Sequence, residues 1–335
     1  MPSKTEDAMA SPDISLGESI NIATRPLHTK LNNLIIQRLR LVLPPQAKDA
    51  SNYFKGLLHI APIYITFESL WRTILDSSET EDGLIRDLEE DCPEPSDAHF
   101  RYILADCISR PVTSTRIHAT TRIHAILSNL HIEGLSRSEA LKQDLLSLTG
   151  WSPSELTKQL DQRAGESPML SMVLAHIKRS VTANPHVLLA YAWVLYMALF
   201  SGGRIIRASL ERVDPGSSFW TPLDPDSGPE LKIPGGYPSS SEIRRQVRRM
   251  SMAEEQPLSF FRFGTPSNGE DLKQMFKARI LALMRRGVGK ECFRIKPEEH
   301  DDIVQEARQI FELMIGIVEE LDEVCRTEYE EAVAK

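Results

Sequence analysis

Features that mark several large protein classes are absent from the sequence. Its four cysteines, Cys92, Cys107, Cys292 and Cys325, are scattered and form no CxxC pair, which argues against a zinc ribbon or a disulfide framework. No Glu-x-x-His motif occurs, although di-iron helical bundles typically carry one. Apolar side chains do not alternate with a period of two, so no strand is predicted. Reduced thiols suit a cytoplasmic protein.

Long apolar segments and an excess of positive charge are also missing. The longest apolar run, near residues 187–200, has about 14 residues, which is short for a membrane span, and the polar N-terminus lacks a signal core. Acidic residues outnumber basic residues by 47 to 39. This balance is unfavourable for general nucleic-acid binding. We therefore expect a cytoplasmic protein with no transmembrane anchor and no nucleic-acid partner.

Helical periodicity fills most of the chain and predicts an all-α protein. We expect residues 1–15 to be disordered and residues 16–330 to form a single domain, with a Pro/Gly/Ser-rich insertion at about 211–257. Pro26 either kinks the first helix, expected over 17–43, or restarts it with Thr24 as the N-cap. The other predicted helices are 50–76, a shorter one within 79–110, 115–131, 136–148, 153–164, 168–182, 185–210, 268–287 and 298–330.

The most informative segment is LLAYAWVLYMALFSGGRIIRASL at 188–210, an apolar helical run with two adjacent glycines. A glycine inside a helix costs about 1 kcal/mol relative to alanine. Gly202 and Gly203 therefore indicate a kink or a close approach of the backbone to another group. Tight helix packing is the more common cause, and a flat cofactor lying against the helix is the other.

A histidine in the first predicted helix gives these glycines a context. His28, in ATRPLHTKLNN (23–33), together with the SGG at 201–203, resembles the haem oxygenase family. Further segments resemble that family in the same order, namely LKQDLLSLTG (141–150), LSFFRFGTPSNGEDLKQMFKARI (258–280) and ARQIFELMIGIVEELDEV (307–324). The resemblance extends over about 15–325. It implies the family's compact helical fold, with haem held between the first helix and the glycine helix.

The resemblance also implies roles for individual residues. His28 corresponds to the proximal ligand of the iron, a role for which neutral imidazole is suited. Lys273 and Lys277, one turn apart, correspond to the basic pair that meets the haem propionates. The full set of implied haem-binding residues is Arg25, His28, Trp193, Ser201, Gly202, Gly203, Lys273, Lys277 and Phe311. Within it, Arg25 is a further propionate candidate, Trp193 replaces a tyrosine, and Phe311 keeps an aromatic ring in the haem wall.

Several positions depart from the family's pattern. Asn32 stands where a carboxylate orients the proximal histidine, which predicts a weaker electron donor. Leu199 stands where the family has a distal aspartate that organises water, and Leu195 and Met314 replace an arginine and an asparagine of the same network. These changes predict a rebuilt, drier distal pocket, and the catalytic residues remain unassigned. The candidate substitute donors are Tyr196, Ser201 and Arg204.

Three functions remain open. The first is a monomeric monooxygenase that cleaves haem to biliverdin, carbon monoxide and iron, with dioxygen as co-substrate and an NADPH-dependent reductase as electron donor. The second is a haem-binding carrier, sensor or regulator without ring-opening activity, which Leu199 favours. The third is a non-haem enzyme on the same fold, either a di-iron oxidase or a thiaminase-like hydrolase. Loose ligand candidates for the third are His59, Glu68 and His176.

Overall fold

A computed structural model describes residues 14–77, 119–221, 256–283 and 294–333, with side chains up to Cys325 in the last range. Every regular element in these ranges is helical, which confirms the predicted all-α class. Residues 1–13, the helix predicted within 79–110 and most of the predicted insertion lie outside the described residues.

The helix boundaries follow the predicted periodic segments closely. The α-helices of the described ranges are α1 (Leu16–Leu39), α2 (Ser51–Asp76), α3 (Thr121–Leu130), α4 (Ser138–Thr149), α5 (Pro153–Glu166), α6 (Pro168–Ala183), α7 (Leu188–Ala198), α8 (Arg204–Leu210), α9 (Glu270–Ala282) and α10 (Pro297–Val333). A π-helical segment, Leu199–Gly203, joins α7 to α8. We refer to α7, this segment and α8 together as the glycine helix.

Pro26 does not divide α1. Ser15 is the N-cap, because its hydroxyl accepts the backbone N–H of Glu18, and the helix continues through Pro26 to Leu39. The hydroxyl of Thr24 instead donates to the carbonyl of Ile20 at 2.8 Å. The alternative that α1 restarts at Thr24 is therefore wrong. One helix carries both the buried N-terminal turns and His28.

The glycine helix is the central helix of the core. Residues 188–196 are all buried, so α7 has no polar face. The stretch Pro185–Leu210 is long and apolar enough to cross a membrane, but 78% of its most apolar window is buried inside the fold. The helix α10 packs against both α7 and α1, and α2 packs against α4 and α6. The packing is that of a core helix.

Two buried carboxylates position the elements around the glycine helix. Glu68 of α2 accepts the backbone N–H groups of Arg137 and Ser138 at the start of α4. Asp144 of α4 accepts the backbone N–H groups of Ser259 and Phe260, both at 2.8 Å. The 3₁₀ turn Ser259–Phe261 is thereby fixed against α4 and beside the glycines.

Candidate functional site

His28 lies on the exposed side of α1 with its imidazole against Phe311 of α10. The two ring centroids are 5.7 Å apart and the rings meet edge to face at 73°. Neither imidazole nitrogen makes a hydrogen bond with a described residue, and Asn32, one turn later, is exposed and makes no bond to the ring. An imidazole with an uncommitted nitrogen is suited to bind a metal. The neighbour that the structure gives this ring is Phe311, not Asn32.

The two adjacent glycines have different surroundings. A Cβ added to Gly203 would lie 3.3 Å from Cδ1 of Phe261 and 3.3 Å from Cδ2 of Leu199. A Cβ added to Gly202 would meet no atom within 4 Å. Gly203 therefore serves close packing, while Gly202 faces open space. Of the two causes inferred for the glycine pair, close packing is therefore seen at Gly203.

Small or apolar residues form the open face of the glycine helix beside Gly202. Ala198 and Ser201 are exposed there, and the side chain of Ile205 is 61% exposed. Within α8 only Leu210 is buried, and Ile205 is its most exposed large apolar residue. The face has the apolar character and the low relief that a flat ring requires. It also includes the π-helical segment, a deviation that often marks functional positions.

Trp193 of α7 joins α1 to the glycine helix. A Cβ added to Gly17 would lie only 2.3 Å from Cη2 of Trp193, so the absence of a side chain at Gly17 lets the indole ring pack directly on the backbone of α1. The indole Nε1–H donates to Oδ1 of Asn21 at 3.3 Å, and the ring stacks on Phe276 of α9 with centroids 6.3 Å apart. Trp193 therefore fixes α1 against α7 and α9, and this placement sets where His28 stands.

The three predicted distal positions carry apolar side chains, of which Leu195 and Leu199 are buried and Met314 is partly buried. Leu199 is 6% exposed, and its Cδ2 lies 3.3 Å from where a Cβ on Gly203 would be. Leu195 is 4% exposed, and its carbonyl accepts the hydroxyl of Tyr64. Leucine has no polar group with which to hold water. The structure thus gives these two positions the packing role that their residue types indicate.

Two of the three candidate substitute donors are already committed. The Tyr196 hydroxyl donates to Oε1 of Glu68 at 3.0 Å, and burial raises the pKa of this hydroxyl well above its usual range. Arg204 forms an ion pair with Glu270. Ser201 donates its hydroxyl to the carbonyl of Met197, but it is exposed on the open face and its oxygen can still accept a hydrogen bond. Of the three, Ser201 has the best position for holding a water.

The predicted propionate-binding residues lie on α1 and α9. Lys273 and Lys277 share one face of α9, as their spacing predicts. Lys277 and Arg25 are exposed and make no ion pair with another described residue, whereas Nζ of Lys273 lies 3.4 Å from Oε2 of Glu270. These cations can bind anionic groups.

The loose candidates for a non-haem metal site do not come together. Nδ1 of His59 bonds to the carbonyl of Lys55 on its own helix, Glu68 is occupied by α4, and Nε2 of His176 lies 2.9 Å from Glu306. Among the residues that the structure describes, no three His, Cys, Asp or Glu side chains are grouped so as to hold a metal ion. The described part of the chain therefore gives the di-iron alternative no support.

The structure contains two cavities that lie away from the predicted haem-binding residues. One of about 600 Å³ lies between residues 43–48 and 209–219, and another of about 350 Å³ lies beside Arg122, His186 and Glu299. Neither is lined by a predicted haem-binding residue. The candidate residues therefore lie outside both cavities, with His28 on α1 and the open face on the glycine helix.

Some contributors to the site were not identified from the sequence. Gly17 lies at the start of α1, where a glycine carries no distinctive signal, and its partner Trp193 is distant in the chain. Phe261 was recognised only as part of a family-like segment, although it packs directly on Gly203. Glu270, next to Lys273, resembled an ordinary acidic residue in the first turn of a helix.

Comparisons with known proteins agree on one family. The family model for heme oxygenase matches residues 117–320, which include the glycine helix, α9 and Phe311 but not His28. The chain is 23% identical over 262 residues to the heme-binding protein HMX1 of Saccharomyces cerevisiae, covering 73% of this chain and 69% of that protein.

Solved structures extend the likeness over nearly the whole chain. Heme oxygenase-2 of Synechocystis sp. PCC 6803, solved with heme and NO, has a TM-score of 0.53 at 14% identity and covers 94% of this chain and 88% of its own. Heme oxygenase-1 of the same cyanobacterium, solved with heme, also has a TM-score of 0.53 at 14% identity, with coverages of 96% and 98%. At these identities the likeness shows the fold. The fold that the sequence resemblance implied is confirmed.

Proposed function

The chain belongs to the haem oxygenase family, and we propose that it binds haem between α1 and the glycine helix with His28 as the axial ligand of the iron. The observation that carries this proposal is the contrast between Gly202, which faces open space, and Gly203, which is packed. Close packing accounts for Gly203 but not for Gly202. The open face, together with the uncommitted His28, has the chemistry that a haem site requires.

The described residues fit a haem in kind. The His28 imidazole would hold the iron, and the contact with Phe311 would fix the plane of the imidazole ring. Gly202 and the apolar side chain of Ile205 would lie against the porphyrin. Cations on α1 and α9 would bind the propionates by charge-assisted hydrogen bonds, the candidates being Arg25, Lys273 and Lys277.

Oxidative ring opening is the first candidate activity, and it rests on family membership. Bound haem would supply the redox chemistry with dioxygen, and an NADPH-dependent reductase would supply the electrons. The protein's own part is to bind the ring, to exclude bulk water and to hold a proton source on the distal side. For that last task we propose the Ser201 oxygen, which would hold a water as an acceptor because its own proton is donated to the carbonyl of Met197.

Haem binding without ring opening is the second candidate, and the buried distal residues favour it. Leu199 and Leu195 fill the space with apolar atoms, while Tyr196 and Arg204 are committed to Glu68 and Glu270. A pocket with one hydroxyl in place of a carboxylate network would hold haem in a drier environment. Such a protein would serve as a carrier, sensor or regulator.

A hemin titration of the full chain separates these functions. We expect a saturable Soret band in the wild type, an altered or lost band in His28→Ala, and a wild-type band in the control His300→Ala on α10. Adding reductant in air then distinguishes the activities, because ring opening converts the Soret band into a biliverdin-type absorbance and a carrier keeps it. A wild type without a Soret band would remove the haem proposal, and an unchanged His28→Ala spectrum would remove His28 as ligand.

A further inference from the structure

Two cations from different helices converge on one carboxylate oxygen at the end of the π-helical segment. Nη1 of Arg204, the first residue of α8, lies 2.9 Å from Oε2 of Glu270, and Nζ of Lys273 lies 3.4 Å from the same oxygen. The other oxygen, Oε1, accepts the side-chain amide of Gln274 at 2.7 Å. Arg204 and Lys273 therefore already bind a carboxylate, and it is one that the chain itself supplies.

Arg204 stands at the edge of the open face described above. Ser201 and Ile205, its neighbours on the helix surface, are exposed, and Gly202 faces open space. The Arg204 guanidinium reaches across to α9, which also carries Lys277 one turn beyond Lys273. Arg204 and Lys273 thus meet at one border of the face proposed to bind haem, and Lys277 lies one turn further along α9.

The contact between Glu270 and these cations is open to exchange. The side chains of Arg204 and Glu270 are 39% and 38% exposed, and ion pairs at such exposure contribute little to stability. Glu270 also lies in the first turn of α9, so the helix dipole still stabilises its negative charge when the carboxylate no longer contacts Arg204 and Lys273. Arginine can bind an incoming carboxylate through two parallel hydrogen bonds, so a second carboxylate is able to take the place of Glu270.

We propose that Arg204 and Lys273 form a carboxylate-binding pair that Glu270 occupies in this structure, and that a haem propionate replaces Glu270 when haem binds. This inference rests on the haem binding proposed above, and it adds two roles to it. Arg204 becomes a propionate-binding residue, and Glu270 becomes an internal competitor that lowers haem affinity and selects for ligands carrying a carboxylate.

The test compares hemin with its dimethyl ester, in which both propionates are blocked, in Soret titrations of the full chain. We expect Glu270→Gln to bind hemin about two- to fivefold more tightly and Arg204→Gln to bind it about two- to fivefold more weakly, because exposed charge pairs contribute on that scale. Neither variant should change the Kd of the dimethyl ester. In the double variant the gain from Glu270→Gln should be smaller, because that gain depends on freeing Arg204 to bind a propionate.

Glu139→Gln is the matched control. Glu139 also lies in the first turn of a helix and pairs with a lysine three residues later, Lys142, but it is on α4, which carries no candidate haem-binding residue. It should leave both Kd values unchanged. If Glu270→Gln and Arg204→Gln changed the Kd of hemin and of its ester equally, or changed neither, this inference would be overturned while haem binding stayed intact. Absence of any His28-dependent Soret band in the wild type would instead overturn both.

Discussion

Polar groups have opposite surroundings at the buried carboxylates and at the candidate haem site. Glu68 is 5% exposed and accepts five hydrogen bonds, from the hydroxyls of Ser136, Ser138 and Tyr196 and from two backbone N–H groups. At the candidate haem site, His28 and Lys277 are exposed and make no hydrogen bond or ion pair with a described residue. A buried carboxylate needs such partners for the fold to be stable, whereas exposed groups without partners stay available to a ligand. Changes in the first region should therefore alter folding, and changes in the second should alter binding.

The largest expected effect follows from removing Glu68. Glu68→Ala leaves the N–H groups of Arg137 and Ser138 and the Tyr196 hydroxyl without their acceptor inside the core. We expect a loss of at least about 3 kcal/mol in the free energy of unfolding, measured by urea denaturation. If that variant does not fold, Glu68→Gln, which keeps one acceptor oxygen, should give an intermediate loss.

Glu139→Ala provides the comparison for this prediction. Glu139 is exposed and pairs only across the surface with Lys142, so its loss should change the free energy of unfolding by no more than about 0.5 kcal/mol. A Glu68→Ala variant as stable as Glu139→Ala would show that the buried cluster does not support the start of α4.

The next effect is a pH dependence of stability from Asp144. Burial raises the pKa of this carboxyl from 3.8 to about 6, although the Ser259 and Phe260 N–H groups and Arg262 oppose the rise. Near pH 5 the folded protein therefore holds a proton that the unfolded chain releases. The stabilisation from this proton is complete below the unfolded pKa and is lost as the pH rises through the folded value.

The wild type should accordingly lose stability relative to Asp144→Asn as the pH is raised from 4 to 6, by up to about 1.4 kcal/mol per pH unit. Urea denaturation of both proteins at several pH values measures this difference, and the comparison cancels the titration of all other groups. Parallel curves for the two proteins would contradict the raised pKa. The asparagine variant should also be less stable overall, because its NH₂ replaces one of the two oxygens that accept the backbone N–H groups of Ser259 and Phe260.

Local signals carried most of the fold. Helical periodicity predicted the described helices, most of which bury one apolar stripe while α7 is buried on all sides, and Pro153 and Pro168 mark the first turns of α5 and α6. The N-terminal cap at Ser15 was not identified, because serine is common and Thr24 beside Pro26 offered the same chemistry. Local patterns do not decide between two such caps; the packing of Leu16 and Ile20 in the core does.

The site was less predictable, because its character depends on pairs that are distant in sequence. The residues of the glycine helix were recognised from their types, yet the difference between Gly202 and Gly203 depends on where Phe261 packs. In the same way, Lys273 was identified as a cation, but its partnership with Glu270 and Arg204 follows from the approach of α8 to α9. Residue types indicate the available chemistry, and the fold decides which groups are already occupied.

The smallest expected effects on folding come from two adjacent residues, the packed Gly203 and the open Gly202. Gly203→Ala should lose about 1 kcal/mol in the free energy of unfolding, because the added methyl crowds Phe261 and Leu199 by more than the gain in helix propensity offsets. Gly202→Ala should instead gain up to about 1 kcal/mol, because its added methyl meets no atom within 4 Å and alanine favours the helix.

Hemin binding should rank the same two variants in the opposite order. The methyl of Gly202→Ala would stand where the porphyrin is proposed to lie, so this more stable variant should bind hemin more weakly than the wild type, while Gly203→Ala should keep more of its affinity. Urea denaturation and Soret titration of the same preparations provide both measurements. If Gly202→Ala gained stability and also kept full hemin affinity, the open face would not be the haem face, and the need for glycine at 202 would require another explanation. If it lost affinity while gaining stability, the glycine would be retained for the ligand at the expense of the helix.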